Sequence, residues 1–592
     1  MSLGMQRFRE RHIHLTDRVS EATADSEELA PWKARCLDPE ALLDRWIRGL
    51  NLQADAAVAV SGVGDGSHLR KLLEILPEGG MVFCAEANAR RFNAFLATDL
   101  AAELMTDRRL LFGVGEIDDM FFRTLASFEI VSYASAEPLI FAPLYQEDEA
   151  FYARFFLEFA RNVEMWRKMY GTNLSQSGFW QRNTFLNLRR LIVSPDPIEF
   201  QGCFEGLPLI MAGAGPSLDE SLEFIKSMQD RAVVVAGNSS FRALRRAGVD
   251  PHFVLAADPN PSTDLGFHGA EIGRSLLLCP FMVYPEVPKR FGDRISAWSF
   301  GNPVASYLRK QSGRDREAFV TEQGTVSACA FDLAVILGCR TVFFAGQDLA
   351  ARSDGQMHAS DSFYADQGSD RTTLEGCRWL PGNTLEKVPV EAKLFVYLKT
   401  FVELARAYSK ELKLNDGKGL TLYNISRLGA KVEGMPYLSL REASEVMQRF
   451  PAGGSEKAWK QVEAILLRHR VGWGKIGRTL SELQDYVSRT LELSLEAAMA
   501  IELEKIDLET AKQRKRSLEE ATTAREDFLK ILMEGQLKRE LHIHERAKAL
   551  MTRLGAGSEL EQLGSYFWAV AEGAFHLASS IEMSRQDSLA AQ

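Results

Sequence analysis

Short apolar runs, each closed by a glycine turn and followed by a polar stretch of helical period, fill most of the chain up to residue 435. After a charged, mostly helical lead-in over residues 1–50, AAVAVS from Ala56 to Ser61 predicts a strand. It meets the turn Gly62-Val63-Gly64-Asp65-Gly66 and the helical pattern HLRKLLEIL, and a second strand from Met81 to Ala85 ends at Glu86. Strand, glycine turn, helix, strand and acidic residue is the order of a nucleotide- or methyl-donor-binding α/β unit. Nothing downstream supplies chemistry, so residues 51–145 read as a degenerate Rossmann-like domain used for scaffolding. Residues 146–199 then predict a helical bridge rich in aromatics and amides (Phe151, Phe155, Phe156, Trp166, Trp180, Asn183, Asn187), closed by Ser194-Pro195-Asp196-Pro197.

Between 200 and 435 strands and helices alternate. Strands are expected at 209–212, 232–236, 251–257, 276–279, 297–300 and 341–345, with a helix from Gly324-Thr325-Val326-Ser327 to Leu337. Such density predicts a parallel, doubly wound sheet. From 436 the character changes: no Pro follows Pro451, neither Gly nor Pro occurs from Arg478 to Glu534, and leucines recur at helical spacing among charges. That predicts an all-helical domain, a bundle or long antiparallel hairpin. The fold class is α/β and multidomain: a Rossmann-like central domain, a smaller α/β N-terminal domain and an all-α C-terminal domain.

Composition narrows the function. Apolar residues make up 46% and charged residues 25% of 592, with a net charge of −10. A nucleic-acid binder would need a basic face. No apolar run approaches the ~20 residues that span a bilayer, and the N-terminus lacks an apolar signal core, so a cytoplasmic location is expected. Seven scattered cysteines without a Cys-x-x-Cys pair fit reduced thiols. The pairs His12/His14 and His542/His544 fall in helical contexts and read as surface residues, not metal ligands.

Candidate chemistry gathers in the central domain. The apolar run Leu209 to Ala212 turns through Gly213-Ala214-Gly215-Pro216 into a helix, and Ser217 with Glu220 has capping-box spacing. Backbone N–H groups at such a corner cradle phosphate. A β-branched residue at Gly215 should therefore exclude the ligand and leave the fold intact. Residues 213–217, Asn238, Asp258, Gln347 and Asp348 all follow predicted strands, the address at which parallel sheets bind ligands.

GAGPSLDE, AGNSS, AADPNP and GTVSACAFDLAVILGCRTVFFAGQDLA, in this order, resemble the Maf (motility-associated factor) flagellin glycosyltransferases. The resemblance implies a cytoplasmic enzyme moving a nonulosonic acid from a CMP-sugar to Ser/Thr of flagellin, in flagellar assembly and motility. The central domain is similar to bacterial CMP-sialic acid sialyltransferases, which implies that Gly213, Gly215, Pro216, Ser217 and Asn238 hold the CMP moiety. Ala214 replaces an Asn of that pattern, and Gly324, Thr325 and Ser327 resemble its second nucleotide segment. The general base of those enzymes is a His before a late helix, but LEKVPVEAKLFVYLK here holds none. His358, in GQMHAS, is the nearest alternative, followed by Asp348, Glu386 and Glu391. No cofactor is required; Mg²⁺ is compatible, and the oligomeric state stays open. The same domain is similar to archaeal 6-hydroxymethylpterin pyrophosphokinases, for which Asp258 would be one of the Mg²⁺-holding carboxylates and Asp264 the next acidic residue. A non-catalytic flagellar chaperone or scaffold is the third reading.

Overall fold

The computed structural model describes residues 2–11, 19, 29, 31–52, 56–77, 80–115, 135–321, 324–367, 370–412, 414, 417, 419–468, 473–553 and 557–589. His12 and His14 lie outside them. The chain divides into two compact units, 1–175 and 176–592.

The first unit is built on a four-stranded, all-parallel sheet of β1 (Ala56–Ser61), β2 (Met81–Glu86), β3 (Leu110–Val114) and β4 (Ser135–Leu139), in the order β3-β2-β1-β4. Side chains alternate across it as strand geometry requires. Val58, Val60, Val82 and Cys84 belong to one core with Leu69, Leu72, Phe92 and Phe95. Ala57, Ala59, Phe83 and Leu111 belong to another with Phe155 and Phe159, from the helix Glu149–Ile192.

The turn after β1 is glycine-rich because Gly62, Gly64 and Gly66 all take positive φ (70°, 47° and 84°). Glu86 closes it from the end of β2, accepting the Val63 and Asn88 N–H groups at 2.9 Å each. A side chain at Gly62 would meet Leu144 at 3.0 Å and the Tyr152 hydroxyl at 3.1 Å. The space over this turn is filled by the unit's own chain, and the fully buried Glu86 is taken up by these two backbone amides and by Arg91, 3.5 Å away. A cleft of about 580 Å³ lies beside it, lined by Asn88, Arg90, Arg91, Glu147, Asp148 and Tyr152 among others.

The second unit carries a seven-stranded parallel sheet: β5 (Leu209–Ala212), β6 (Val233–Gly237), β7 (Phe253–Leu255), β8 (Leu276–Pro280), β9 (Ile295–Trp298), β10 (Thr341–Ala345) and β13 (Thr421–Asn424). Their order is β13-β10-β5-β6-β7-β8-β9. A short antiparallel hairpin of β11 (Arg378–Leu380) and β12 (Val388–Val390) stands apart from it. The five central strands are apolar on both faces, which parallel burial demands. Ile210, Val234 and Val254 share a core with Ile476, Leu480 and Phe528 of the C-terminal helices. Met211, Val235 and Phe253 share the other with Phe331, Phe401 and Trp459. The long helices Trp473–Glu502 and Glu559–Leu589 pack along each other. His544 corrects the surface reading: it is buried, its Nδ1 2.9 Å from the Ser565 hydroxyl, because two positions along a helix turn from solvent to the bundle interior.

The Pro-rich punctuation at 194–197 is held by a buried ion pair. Asp196 bonds the Arg309 guanidinium and accepts the Ala318 N–H at 2.8 Å. Both side chains are almost fully enclosed.

Candidate functional site

In chain order the sheet grows from β5 to β9 in one direction, and β10 and β13 then add on the other side of β5. The reversal between β5 and β10 is where open α/β sheets bind ligands. The two loops leaving this point are knitted together. Gly213 N–H donates to Ala345 O and Gly215 N–H to Gly346 O, each at 2.8 Å. A Cβ on Gly215 would lie 2.2 Å from Asp348 Oδ2, and one on Gly213 2.6 Å from Gly346 O. These glycines are required by the approach of one loop to the other.

Ser217 corrects the capping-box reading. Its backbone is already helical (φ −69°, ψ −8°) and its side chain caps nothing. Its N–H donates to Asp348 Oδ2 at 3.0 Å, its hydroxyl donates to Asp348 Oδ1, and the same hydroxyl accepts the Leu428 N–H at 2.9 Å. Glu220 pairs with Arg427, with Nη2 to Oε1 at 2.6 Å. The cradle is narrowed as well. The Gly213, Gly215, Ser217 and Leu218 amides all donate inside the protein, Pro216 has none, and the Ala214 amide is left without an acceptor among the described residues.

Asp348 is 2% exposed, and burial pushes its carboxyl up to about 6 against the pull of the Ser217 bonds. A value near neutrality suits a base. The geometry assigns it otherwise, since both oxygens are held by Ser217 beneath the turn; Asp348 positions the loop. Gln347 is likewise buried, its N–H on the Ser426 hydroxyl at 2.8 Å. Asn238 opens the helix Asn238–Arg246 and its amide reaches Thr263 O at 3.4 Å. The Thr263 hydroxyl bonds Asp258 O at 3.1 Å. The Asp258 side chain is exposed, yet desolvation by the surrounding protein raises its pKa against the attraction of Lys393.

The loop after β10 places His358 over this floor. Ala359 N–H donates to Ala214 O at 2.8 Å, and the Ser360 hydroxyl donates to Asp219 at 2.7 Å. His358 Nδ1 lies 2.9 Å from Asp370 Oδ1, and its ring stacks on Tyr364 with centroids 4.0 Å apart and planes 18° apart. Burial holds its pKa below the usual histidine value, with Asp370 opposing. Gly324 (φ 78°) would meet the Tyr397 ring at 3.4 Å if it carried a Cβ. Thr325 starts the turn Val326–Ala328 without a side-chain cap, and Ser327 is buried. Tyr397 and Lys393 share the first turns of the helix Ala392–Arg406, with Nζ 5.7 Å from the ring. Lys393 acts electrostatically on Asp258, His358 and Tyr364, and Glu391 on His358. Glu386 sits exposed between β11 and β12.

The structure thus joins residues 213–217, Gln347, Asp348 and His358 at the switch point. It brings Asp258 together with Lys393 and Tyr364. Sequence reasoning missed Asp370, Tyr364, Lys393 and Tyr397. One signal was available: a lysine in the first turn of a helix stands against the helix dipole. No cluster of three His, Cys, Asp or Glu able to hold a metal occurs among the described residues.

The 6-hydroxymethylpterin diphosphokinase MptE-like family matches residues 182–354. Among solved structures, the chain is similar to that of a Maf glycosyltransferase from Magnetospirillum magneticum AMB-1, with a TM-score of 0.57 and 17% identity over 97% of this chain and 87% of that one. At this identity the likeness is one of fold. No curated protein matches.

Proposed function

We propose that the chain is a glycosyltransferase that moves a nonulosonic acid from a CMP-sugar to a Ser/Thr hydroxyl of flagellin, in the cytoplasm before flagellar assembly. The fold shared with the Maf glycosyltransferase supports the class of reaction. The observation that carries the chemistry is the His358–Asp370 pair, held over the sheet's switch point.

In this reading the nucleotide lies over residues 213–217 and 324–327, with Asn238 at the cytosine or ribose. His358 takes the proton of the acceptor hydroxyl as its oxygen bonds the anomeric carbon. The bond from that carbon to the phosphate oxygen breaks, and its electron pair leaves on CMP. The Ala214 amide and Lys393 face the charge that develops on the departing phosphate. No step of this reading depends on a metal, and Mg²⁺ is compatible with it.

A pyrophosphokinase would need carboxylates beside Asp258 for its metal. Asp264, the next acidic residue, instead bonds Arg290 and His268, at 2.7 and 2.9 Å. Those residues do not fit a magnesium pair.

The test is stabilisation by CMP, CDP, ATP and S-adenosylmethionine, followed by transfer assays on His358→Ala. CMP at 100-fold excess over Kd should add about 2.7 kcal/mol. His358→Ala should lower turnover about 10²-fold with CMP binding intact. Response to Mg·ATP alone, lost in Asp258→Asn, would replace this function with phosphoryl transfer. Response to no nucleotide would leave a scaffold.

A further inference from the structure

We infer that Asp370 is a positioning residue: by accepting a hydrogen bond from His358 Nδ1–H it fixes the imidazole tautomer and leaves Nε2 as the nitrogen that takes a proton. The inference deepens the proposed function and rests on it for its catalytic meaning, although the tautomer itself is measurable without turnover.

The pairing is built into the backbone. Met357 N–H donates to Asp370 O at 2.9 Å, Thr372 N–H to Gly355 O at 2.9 Å, and Gln356 bridges Arg371 in antiparallel fashion. Gly355 makes the register possible, because its φ is 86° and a Cβ there would stand 2.4 Å from Thr372 O. This short ladder sets Asp370 opposite Met357, next to His358 in the chain, and the carboxylate meets His358 Nδ1 at 2.9 Å. The stacked Tyr364 ring, itself 4.0 Å from Phe363, closes one face of the imidazole. Ala359 and Ser360 fasten the next two residues to Ala214 and Asp219. The ring has one nitrogen bonded, one face covered and its backbone tied on both sides. Nε2 has no partner among the described residues.

A carboxylate at Nδ1 does two things to a histidine base. It selects the neutral tautomer with the proton on Nδ1, and it stabilises the imidazolium formed when Nε2 takes the proton. The proton passes from the acceptor hydroxyl to Nε2, while the Nδ1 proton stays between the ring and Asp370. The other charged or titratable groups acting on His358 are Lys393, which opposes the imidazolium, and Glu391, which favours it. Tyr364 is raised above its ordinary pKa by burial and stays neutral through the working range.

The experiment has two arms. In ¹⁵N-histidine NMR of the full chain, with His358 assigned by its loss in His358→Gln, the neutral ring should carry its proton on Nδ1. In Asp370→Asn this preference should weaken, kcat should fall at least tenfold, and the acid limb of the pH profile should move to lower pH. KM for the donor should stay within twofold, and Asp370→Glu should recover part of kcat. A neutral wild-type ring protonated on Nε2 overturns the inference, even if Asp370→Asn does not fold. So does an Asp370→Asn enzyme with wild-type kcat and pH profile. If His358→Ala transfers sugar normally while the Nδ1–H tautomer is found, the assignment of the base fails and the positioning by Asp370 stands.

Discussion

Asp348→Asn isolates the energetic role of the carboxylate beneath the glycine turn. In the folded protein burial raises Asp348 from 3.8 to about 6. Below pH 3.8 the group is protonated in both states and contributes nothing pH-dependent. Between pH 3.8 and 6 the unfolded chain releases its proton first, so ionisation favours the unfolded state and stability falls as pH rises. Above pH 6 the loss levels off. A separation of about two pH units, at about 1.4 kcal/mol each, gives about 3 kcal/mol. Asparagine has no such term, though it forfeits some bonding to Ser217 at every pH. The difference in unfolding free energy between variant and wild type should therefore shift by about 3 kcal/mol in the variant's favour from pH 3.5 to pH 7. Urea unfolding across that range, extrapolated linearly to water, reads it directly. A difference that stays flat within about 0.5 kcal/mol would refute the reasoning. A shift of opposite sign would mean that the Ser217 bonds outweigh burial.

Two further substitutions test the architecture of the second unit. Gly215→Ala should destabilise the fold by about 2–4 kcal/mol in denaturant titration, because its Cβ strikes Asp348 and overpacking adds to weakened Ser217 bonds; an unchanged midpoint would show that the loops separate freely. Arg309→Met leaves Asp196 buried without its partner and should lower stability by about 3–5 kcal/mol at pH 7 in the same assay, and a loss below 1 kcal/mol would mean that water reaches the carboxylate.

The sequence made the parallel sheet of the second unit legible because its strands are apolar on both faces. β5, β6, β8 and β10 lie within a residue or two of their expected places. β9 came two residues early, at Ile295–Trp298, since Phe300 is an exposed residue that merely looks like strand. β13 and the β11–β12 hairpin were missed. Their three or four residues are interrupted by proline or polar side chains and gain strand character only from the partner they meet. The site divides in the same way. Position after a strand end found Asn238, Asp258, Gln347 and Asp348. It did not show that Ser217 spends its hydroxyl on Asp348, 131 residues away, in place of the local Glu220. The geometry speaks against the expectation that a side chain at Gly215 would spare the fold, and for the same reason: its nearest obstacle, Asp348, comes from a distant loop. Asp370 was invisible because its meaning lies in a spatial neighbour, His358, that no local pattern announces; Lys393 showed only as a cation against a helix dipole, with nothing to point to Asp258.

The order β13-β10-β5 has a consequence for biosynthesis. β5 is made early and has its β6 partner within reach soon after, but its other edge waits for β10, whose loop supplies Asp348 131 residues after Ser217. At about 5–20 residues per second a ribosome needs on the order of 7–26 s to cross that gap. Throughout it, Leu209, Ile210, Met211 and Ala212 present an open, wholly apolar strand edge to the surroundings. The nascent chain is therefore most exposed to mispairing with its neighbours on the polysome before residue 345 emerges, and a holding chaperone would act there to greatest effect.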